Sequence, residues 1–299
     1  MRAAPLWLLC AWLLCAHVQA EVQVVDDAGR HVTLAQPAQR IVSLAPHLTE
    51  LLFSAGAGAQ VVGAVAYSDH PDAARRIPRV GDSAQLDLER IVALRPDLLV
   101  VWQHGNSAQQ LAQLSRLGIP VYAGESRRFD GIAATLRRLG RLAGTGAVAE
   151  VRAQAFEHDV AALRERYAGR TPLRVFYQIW HRPLMTVNGE HLISEALALC
   201  GAHNVFAALA PLTPTLGEEA VIAADPDAIV TGSVDPAGPD NLDGWRRLRS
   251  LRATRGGHLI VVDPDKLHRQ SDRVIDGARE LCEKLDAVRR AVRRVVPPR

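Results

Sequence analysis

The chain has 299 residues, 48% of them hydrophobic and 22% charged, and a formal net charge of +3. A balance this near neutrality argues against a dedicated nucleic-acid binder. The length supports two compact lobes, and beyond the N-terminal leader no segment is long and apolar enough to cross a bilayer.

Residues 1–20 read MRAAPLWLLCAWLLCAHVQA. One Arg precedes a short apolar run, and small and polar residues follow it. This predicts a secretory signal peptide cleaved after Ala20, and hence an exported mature chain. A membrane anchor is the alternative, but the run falls short of the roughly 20 residues needed to span. Cys15 lacks the small residue that a lipoprotein site needs just before its cysteine, which argues against a lipid anchor. Cys10 and Cys15 leave with the leader, so the mature chain keeps Cys200 and Cys282. In an exported chain two such cysteines pair or stay as buried free thiols. Neither has the CxxC spacing of a metal site.

Residues 21–39 alternate around Asp27-Ala28-Gly29-Arg30, predicting a hairpin. A parallel-type strand at 40–44 runs into a loop, Ala45-Pro46-His47, and a helix at 49–56. The next strand, 61–66, ends in Tyr67-Ser68-Asp69-His70-Pro71. Then come helix 88–94, strand 97–102, the loop Gln103-His104-Gly105-Asn106, helix 108–117 and strand 120–123.

Residues 146–167 form a long helix built from good helix formers. Val148, Val151, Ala155, Val160, Leu163 and Tyr167 mark its apolar face. Gly140, Gly144 and Gly146 break the chain before it, and GRTP at 169–172 ends it. Beyond it lie strand 173–178, helix 191–200, helix 220–224, strand 228–231, a turn at 245–248, strand 259–262 and helix 276–288.

Strand and helix alternate throughout, which predicts α/β lobes with parallel sheets. The expected organisation is a signal peptide (1–20), an N-terminal lobe (21–143), a connecting helix (144–168), a C-terminal lobe (169–290) and a basic, solvated tail (291–299).

The halves repeat. DLERIVALRPDLLV at 87–100 aligns without a gap on GEEAVIAADPDAIV at 217–230. Glu89 falls on Glu219, Ala93 on Ala223, Pro96 on Pro226, Asp97 on Asp227 and Val100 on Val230. RIVSLAP at 40–46 likewise matches RVFYQIW at 174–180. The period is far above the roughly 50 residues of solenoid repeats, so this is a duplicated lobe.

Ligands of open α/β sheets bind outside the carboxyl ends of the strands. The residues just past those ends include Ala45, Pro46 and His47, Tyr67, Trp102, Asn106, Trp180 and Arg269. Tyr67, Trp102 and Trp180 follow three strands drawn from both halves. Aromatics make up only 5% of the chain, so this concentration predicts a cleft with flat apolar walls. His47, His70, His104, His181 and His268 also fall in predicted loops there, a set that could hold a metal. The sequence contains no GxSxG, P-loop, strand-following GxGxxG or HExxH, and no nucleophile–base pair can be assigned.

RIVSLAPHLTELLFSAGA, VAYSDHP, LDLERIVALRPDLLVVWQHGN, RVFYQIW, CGAHNVF, EEAVIAADPDAIV and residues 273–282 together resemble one family. It is the helical-backbone (class III) solute-binding proteins of ABC importers, and within it the periplasmic vitamin B12 (cobalamin) receptors. The resemblance runs over about 22–288. It implies two lobes with central parallel sheets joined by one long helix.

It also implies a monomeric periplasmic receptor, not an enzyme. Such a receptor captures cobalamin between the lobes and delivers it to a permease dimer, with cobalamin as transported ligand and no cofactor. Tyr67 and Trp102 match positions that pack on the corrinoid, and Ala45-Pro46-His47 matches a loop along it. Glu89 and Glu219 match the acidic pair that docks on permease arginines, and Cys200 and Cys282 match the family's disulfide.

Ser83, Thr213, Lys266 and Leu267 depart from the pattern, standing where Trp or Phe is usual, and Trp180 can compensate. Asn106 and Arg269 can bond the amide rim of the ligand. A haem or ferric-siderophore receptor of the same fold is the second reading, and a periplasmic metalloenzyme using the loop histidines the third.

Overall fold

The computed structural model describes residues 21–82, 85–232 and 241–295. The expected signal peptide and Ser83 lie outside the described residues.

In the first half, the hairpin β1 (Val22–Val25) and β2 (His31–Leu34) precedes β3 (Ile41–Ser43), α1 (Pro46–Ser54), β4 (Val61–Ala64) and α2 (Leu88–Ala93). Then follow β5 (Leu98–Trp102), α3 (Ala108–Ser115), β6 (Val121–Gly124), α4 (Phe129–Leu142) and α5 (Gly146–Tyr167). The second half opens with β7 (Leu173–Gln178), a small hairpin of β8 (Trp180–His181) and β9 (Leu184–Met185), α6 (Leu192–Leu199) and β10 (Ala202–Asn204). It continues through α7 (Glu218–Ala224), β11 (Ala228–Gly232), α8 (Asp243–Arg246), α9 (Arg252–Arg255), β12 (Leu259–Val262), α10 (Pro264–Leu267) and α11 (Val274–Val295).

Each half carries a four-stranded parallel sheet, ordered β4-β3-β5-β6 in the first and β10-β7-β11-β12 in the second. The two orders are equivalent strand for strand, so the sequence repeat is a topological repeat. Its turn chemistry repeats as well. Asp97 accepts the backbone N–H groups of Gln39 and Arg40, and Asp227 accepts that of Arg174. The Arg40 guanidinium caps the Leu94 carbonyl at the end of α2, and Arg174 caps Ala224 at the end of α7. Arg95 and Asp225, each just before the repeated Pro-Asp, both take a left-handed backbone, with φ of 46° and 38°.

Both sheets are covered on both faces. Period-2 alternation sends Ile41, Leu98, Val100 and Tyr122 into one apolar layer and Val42, Leu99, Val101 and Ala123 into another. In the second half, Val175, Tyr177, Ala228 and Val230 share the first layer's cluster, while Phe176 and Ile229 pack outward on Trp245. The inner cluster is continuous from the hairpin through α1, α4 and α5 to α6 and α11.

Four sequence expectations need correction. The helix after β3 starts at Pro46, so Pro46 and His47 are helical, because Pro at the first position is pre-set for a helix and its missing N–H costs nothing there. Residues 129–142 form α4, which packs along α5. Gly140 is therefore no helix break; a Cβ there would stand 2.2 Å from the Ala149 Cβ, so the two backbones meet where only hydrogen fits. The buried face of α5 is Ala149, Ala153, Phe156, Val160, Leu163 and Tyr167, whereas Val148 and Val151 are 53% and 70% exposed. Position against α4 and α6, and not side-chain hydrophobicity alone, selects that face. Finally, α11 carries the chain to Val295, past the start of the expected tail, and only 296–299 lie beyond the described residues.

Cys200, at the end of α6, is joined to Cys282 on α11. The bridge closes a separation of 82 residues, worth about 4–5 kcal/mol in the chain-entropy account.

Candidate ligand-binding site

The carboxyl end of the first sheet is built from four strand ends. After β3, Ala45 caps α1 in extended conformation and is buried. Thr49 Oγ1 lies 2.8 Å from Ser43 Oγ and 3.1 Å from Ser68 Oγ, tying this corner to the segment after β4. Within that segment, Tyr67 adopts φ 63° and is 77% exposed. A bulky side chain held left-handed and left uncovered is a strained, presented residue.

Trp102 ends β5 and is restrained on several sides. The His47 ring stands edge-on to it, centroids 5.1 Å apart. Its indole N–H donates to Glu125 Oε2 at 2.7 Å, and its backbone N–H donates to Asn106 Oδ1 at 2.9 Å. Gly105 lies against the ring face, where a Cβ would come within 1.8 Å of a ring carbon. Asn106 thus shapes the turn with its carbonyl oxygen. His47 is buried, and its Nε2 has no hydrogen-bond partner among the described residues. Burial, with Arg269 nearby, pushes its pKa down to about 3.

The second lobe meets this surface through residues 269–273. Arg269 bonds Glu50 Oε1 (2.8 Å), Asp69 Oδ1 (2.9 Å) and Asp265 Oδ1 (2.9 Å). Burial opposes its charge, but the hydrogen bonds it donates to Glu50 and Asp69 outweigh that and raise its pKa. Glu50, on α1, also accepts from Ser271 Oγ and Arg273. Gln270 Oε1 accepts the Ser126 N–H, and Asp272 takes Ser54 from α1 and Arg152 from α5. Five consecutive side chains therefore bind the first lobe or α5. His268 Nε2 lies 2.7 Å from the Tyr177 hydroxyl, and burial lowers the His268 pKa to about 4.

Trp180 sits on β8, 59% exposed, with its indole N–H on the Arg182 carbonyl. Among the described residues no ring contact joins Tyr67, Trp102 and Trp180. Each stands at a different strand end. Arg269 is committed to three carboxylates, which sequence reasoning did not foresee. Asp69 stands past a strand end as expected, but sequence reasoning did not find Glu50 or Glu125, although a lone carboxylate inside LTELLF and the polar run RQSDR were the available signals. Leu267 is a fully buried core residue, which accounts for an aliphatic side chain there. Among the described residues no group of three or more His, Cys, Asp or Glu side chains is placed to hold a metal ion.

Glu89 and Glu219 are each the second residue of their helices, α2 and α7, and both are exposed. Asp87 caps α2 by accepting the Arg90 N–H, and Glu89 adds a second acidic charge in the first turn.

Two parallel-sheet lobes on a helical backbone, with the strand ends of the first lobe closed against the second, are the architecture of a class III solute-binding protein. The chain belongs to the periplasmic binding protein family, which residues 41–266 match. A vitamin B12-binding protein of Yersinia pestis (strain Pestoides F) is 35% identical over 254 residues, covering 85% of this chain and 89% of that protein. The crystal structure of a periplasmic vitamin B12-binding protein of Vibrio cholerae superposes with a TM-score of 0.77 at 32% identity, covering 84% of this chain and 98% of that one. A periplasmic heme-binding protein of Pseudomonas aeruginosa gives 0.72 at 26% identity, covering 82% and 91%.

Proposed function

We propose that this protein is a periplasmic receptor that captures cobalamin between its lobes and delivers it to an ABC importer. The observation that carries this reading is the pair of large aromatics left uncovered at strand ends of opposite lobes, Tyr67 and Trp180. Relatives that are vitamin B12-binding proteins over nearly the whole chain support it. Cobalamin offers a broad apolar macrocycle face and an amide-rich rim. Tyr67, Trp102 and Trp180 cover the face, the corner Ala45-Pro46-His47 lines one edge, and Asn106 and Arg269 meet the rim. Arg269 does so only by sharing a guanidinium already bound to carboxylates. Glu89 and Glu219 dock the two lobes on the permease dimer, and the receptor works as a monomer exported by residues 1–20.

Calorimetric titration of the purified mature protein tests this. Saturable 1:1 binding of cobalamin is expected, and binding of haem in its place would favour the second reading, which the 26%-identical heme-binding structure supports.

A further inference from the structure

We infer that Glu125 is a positioning residue, one that sets the plane of the Trp102 ring so that it meets ligand ready-made. This deepens the reading above and rests on it.

Trp102 has two side-chain torsions to fix, and holding them before the ligand arrives removes an ordering cost from binding. Three of its restraints are local or non-directional. Asn106 holds the backbone N–H, Gly105 packs on the ring face, and His47 meets it edge-on. The bond from the indole N–H to Glu125 Oε2, at 2.7 Å, is directional and comes from another strand end, after β6. It therefore distinguishes one ring orientation from its flipped alternative and couples the ring to the sheet.

Glu125 is itself held. Its side chain is 8% exposed, with His104 Nδ1 at 3.4 Å and Arg127 Nε at 3.6 Å. Its backbone N–H donates to Asp27 Oδ2 at 2.8 Å, and Asp27 is gripped by Arg138. Arg127 also reaches Glu190 of the second lobe, at 3.9 Å. A buried carboxylate braced this way gives the indole N–H a stiff acceptor, where a water molecule would give a mobile one.

The test compares Glu125→Ala and Glu125→Gln in the mature protein. The indole N–H of Trp102, assigned with Trp102→Phe, is followed by nitrogen-15 NMR without ligand, and cobalamin affinity is measured in parallel. Glu125→Ala is expected to expose that N–H to rapid exchange and to weaken cobalamin binding about tenfold. Glu125→Gln, whose amide oxygen can still accept, is expected to restore both. A Trp102 signal and an affinity unchanged in Glu125→Ala would overturn the inference. So would equal loss of affinity in both variants with the Trp102 signal intact, which would mean that the charge acts on ligand directly. If the parent protein binds no cobalamin, the functional reading fails, while the exchange of the indole N–H still decides whether Glu125 orients the ring.

Discussion

Tyr67 concentrates two costs at one position. A non-glycine residue at φ 63° is strained, and a tyrosine 77% exposed gains little from burial. Tyr67→Gly should therefore stabilise the ligand-free fold by about 1 kcal/mol while weakening cobalamin binding by about 1–3 kcal/mol. Thermal melts and titrations on the same samples check for these opposite signs. The buried histidines give a second expectation at this scale. His47 is lowered to about 3, and His191 and His268 to about 4, in each case chiefly by burial. With unfolded values near 6.5, the unfolded chain binds more protons between those limits. Their contribution is fully present above pH 6.5 and is lost progressively as pH falls through about 4 and on to about 3. Denaturant midpoints at pH 7.5, 5.5 and 4 should fall in that order, and His47→Gln should flatten the slope.

At the scale of elements, α4 and α5 act as one unit. Their contact at Gly140 and Ala149 leaves no room for a methyl group. Alanine has the better helix propensity, by about 1 kcal/mol. Overpacking opposes it at about 1–3 kcal/mol. Gly140→Ala should therefore lower the denaturation midpoint, whereas the same change at Gly146, where a Cβ meets nothing within 4 Å, should not. Arg137 on α4 strengthens the pairing by bonding both Glu150 and Glu157 on α5. α4, itself packed on α1 and β1, thus braces the N-terminal part of α5 against the first lobe.

For the whole molecule, the lobes are held by more than that hairpin. Glu50 is 1% exposed and faces Arg269 and Arg273, so removing its carboxylate takes one partner from each of two half-buried guanidinium groups, of which Arg269 keeps Asp69 and Asp265. Glu50→Ala should cost about 3–5 kcal/mol. It should also widen the ligand-free particle in small-angle scattering, while the parent changes little when ligand binds. A parent that closes widely on ligand would show that the 269–273 contacts do not set the lobe angle. Glu89 and Glu219 behave differently, since exposed charges set encounter rate and register more than affinity. The double change Glu89→Ala with Glu219→Ala should leave cobalamin affinity intact and impair transport in permease vesicles, most visibly at low salt. Normal transport there would remove the docking role.

The elements were legible because they depend on local pattern. Alternation and apolar runs marked β3, β5, β7 and β11. An uninterrupted stretch of helix formers marked α5 with the bounds observed, and the gapless match of 87–100 on 217–230 marked two equivalent lobes. Strand ends located the aromatics by the same logic, because a parallel sheet presents those ends on one side. Contacts between segments far apart in the chain were not legible. No periodicity joins Glu50 to Arg269, Trp102 to Glu125 or Gly140 to Ala149, since each pair exists only once the sheets and helices are packed. That is why Arg269, open in the sequence to a ligand, is bound in the structure by three carboxylates. It is also why α5 buries Ala149 and Ala153 while Val148 and Val151 face solvent. Local sequence decides which element forms, and the partner across the interface decides which of its side chains remain free to act.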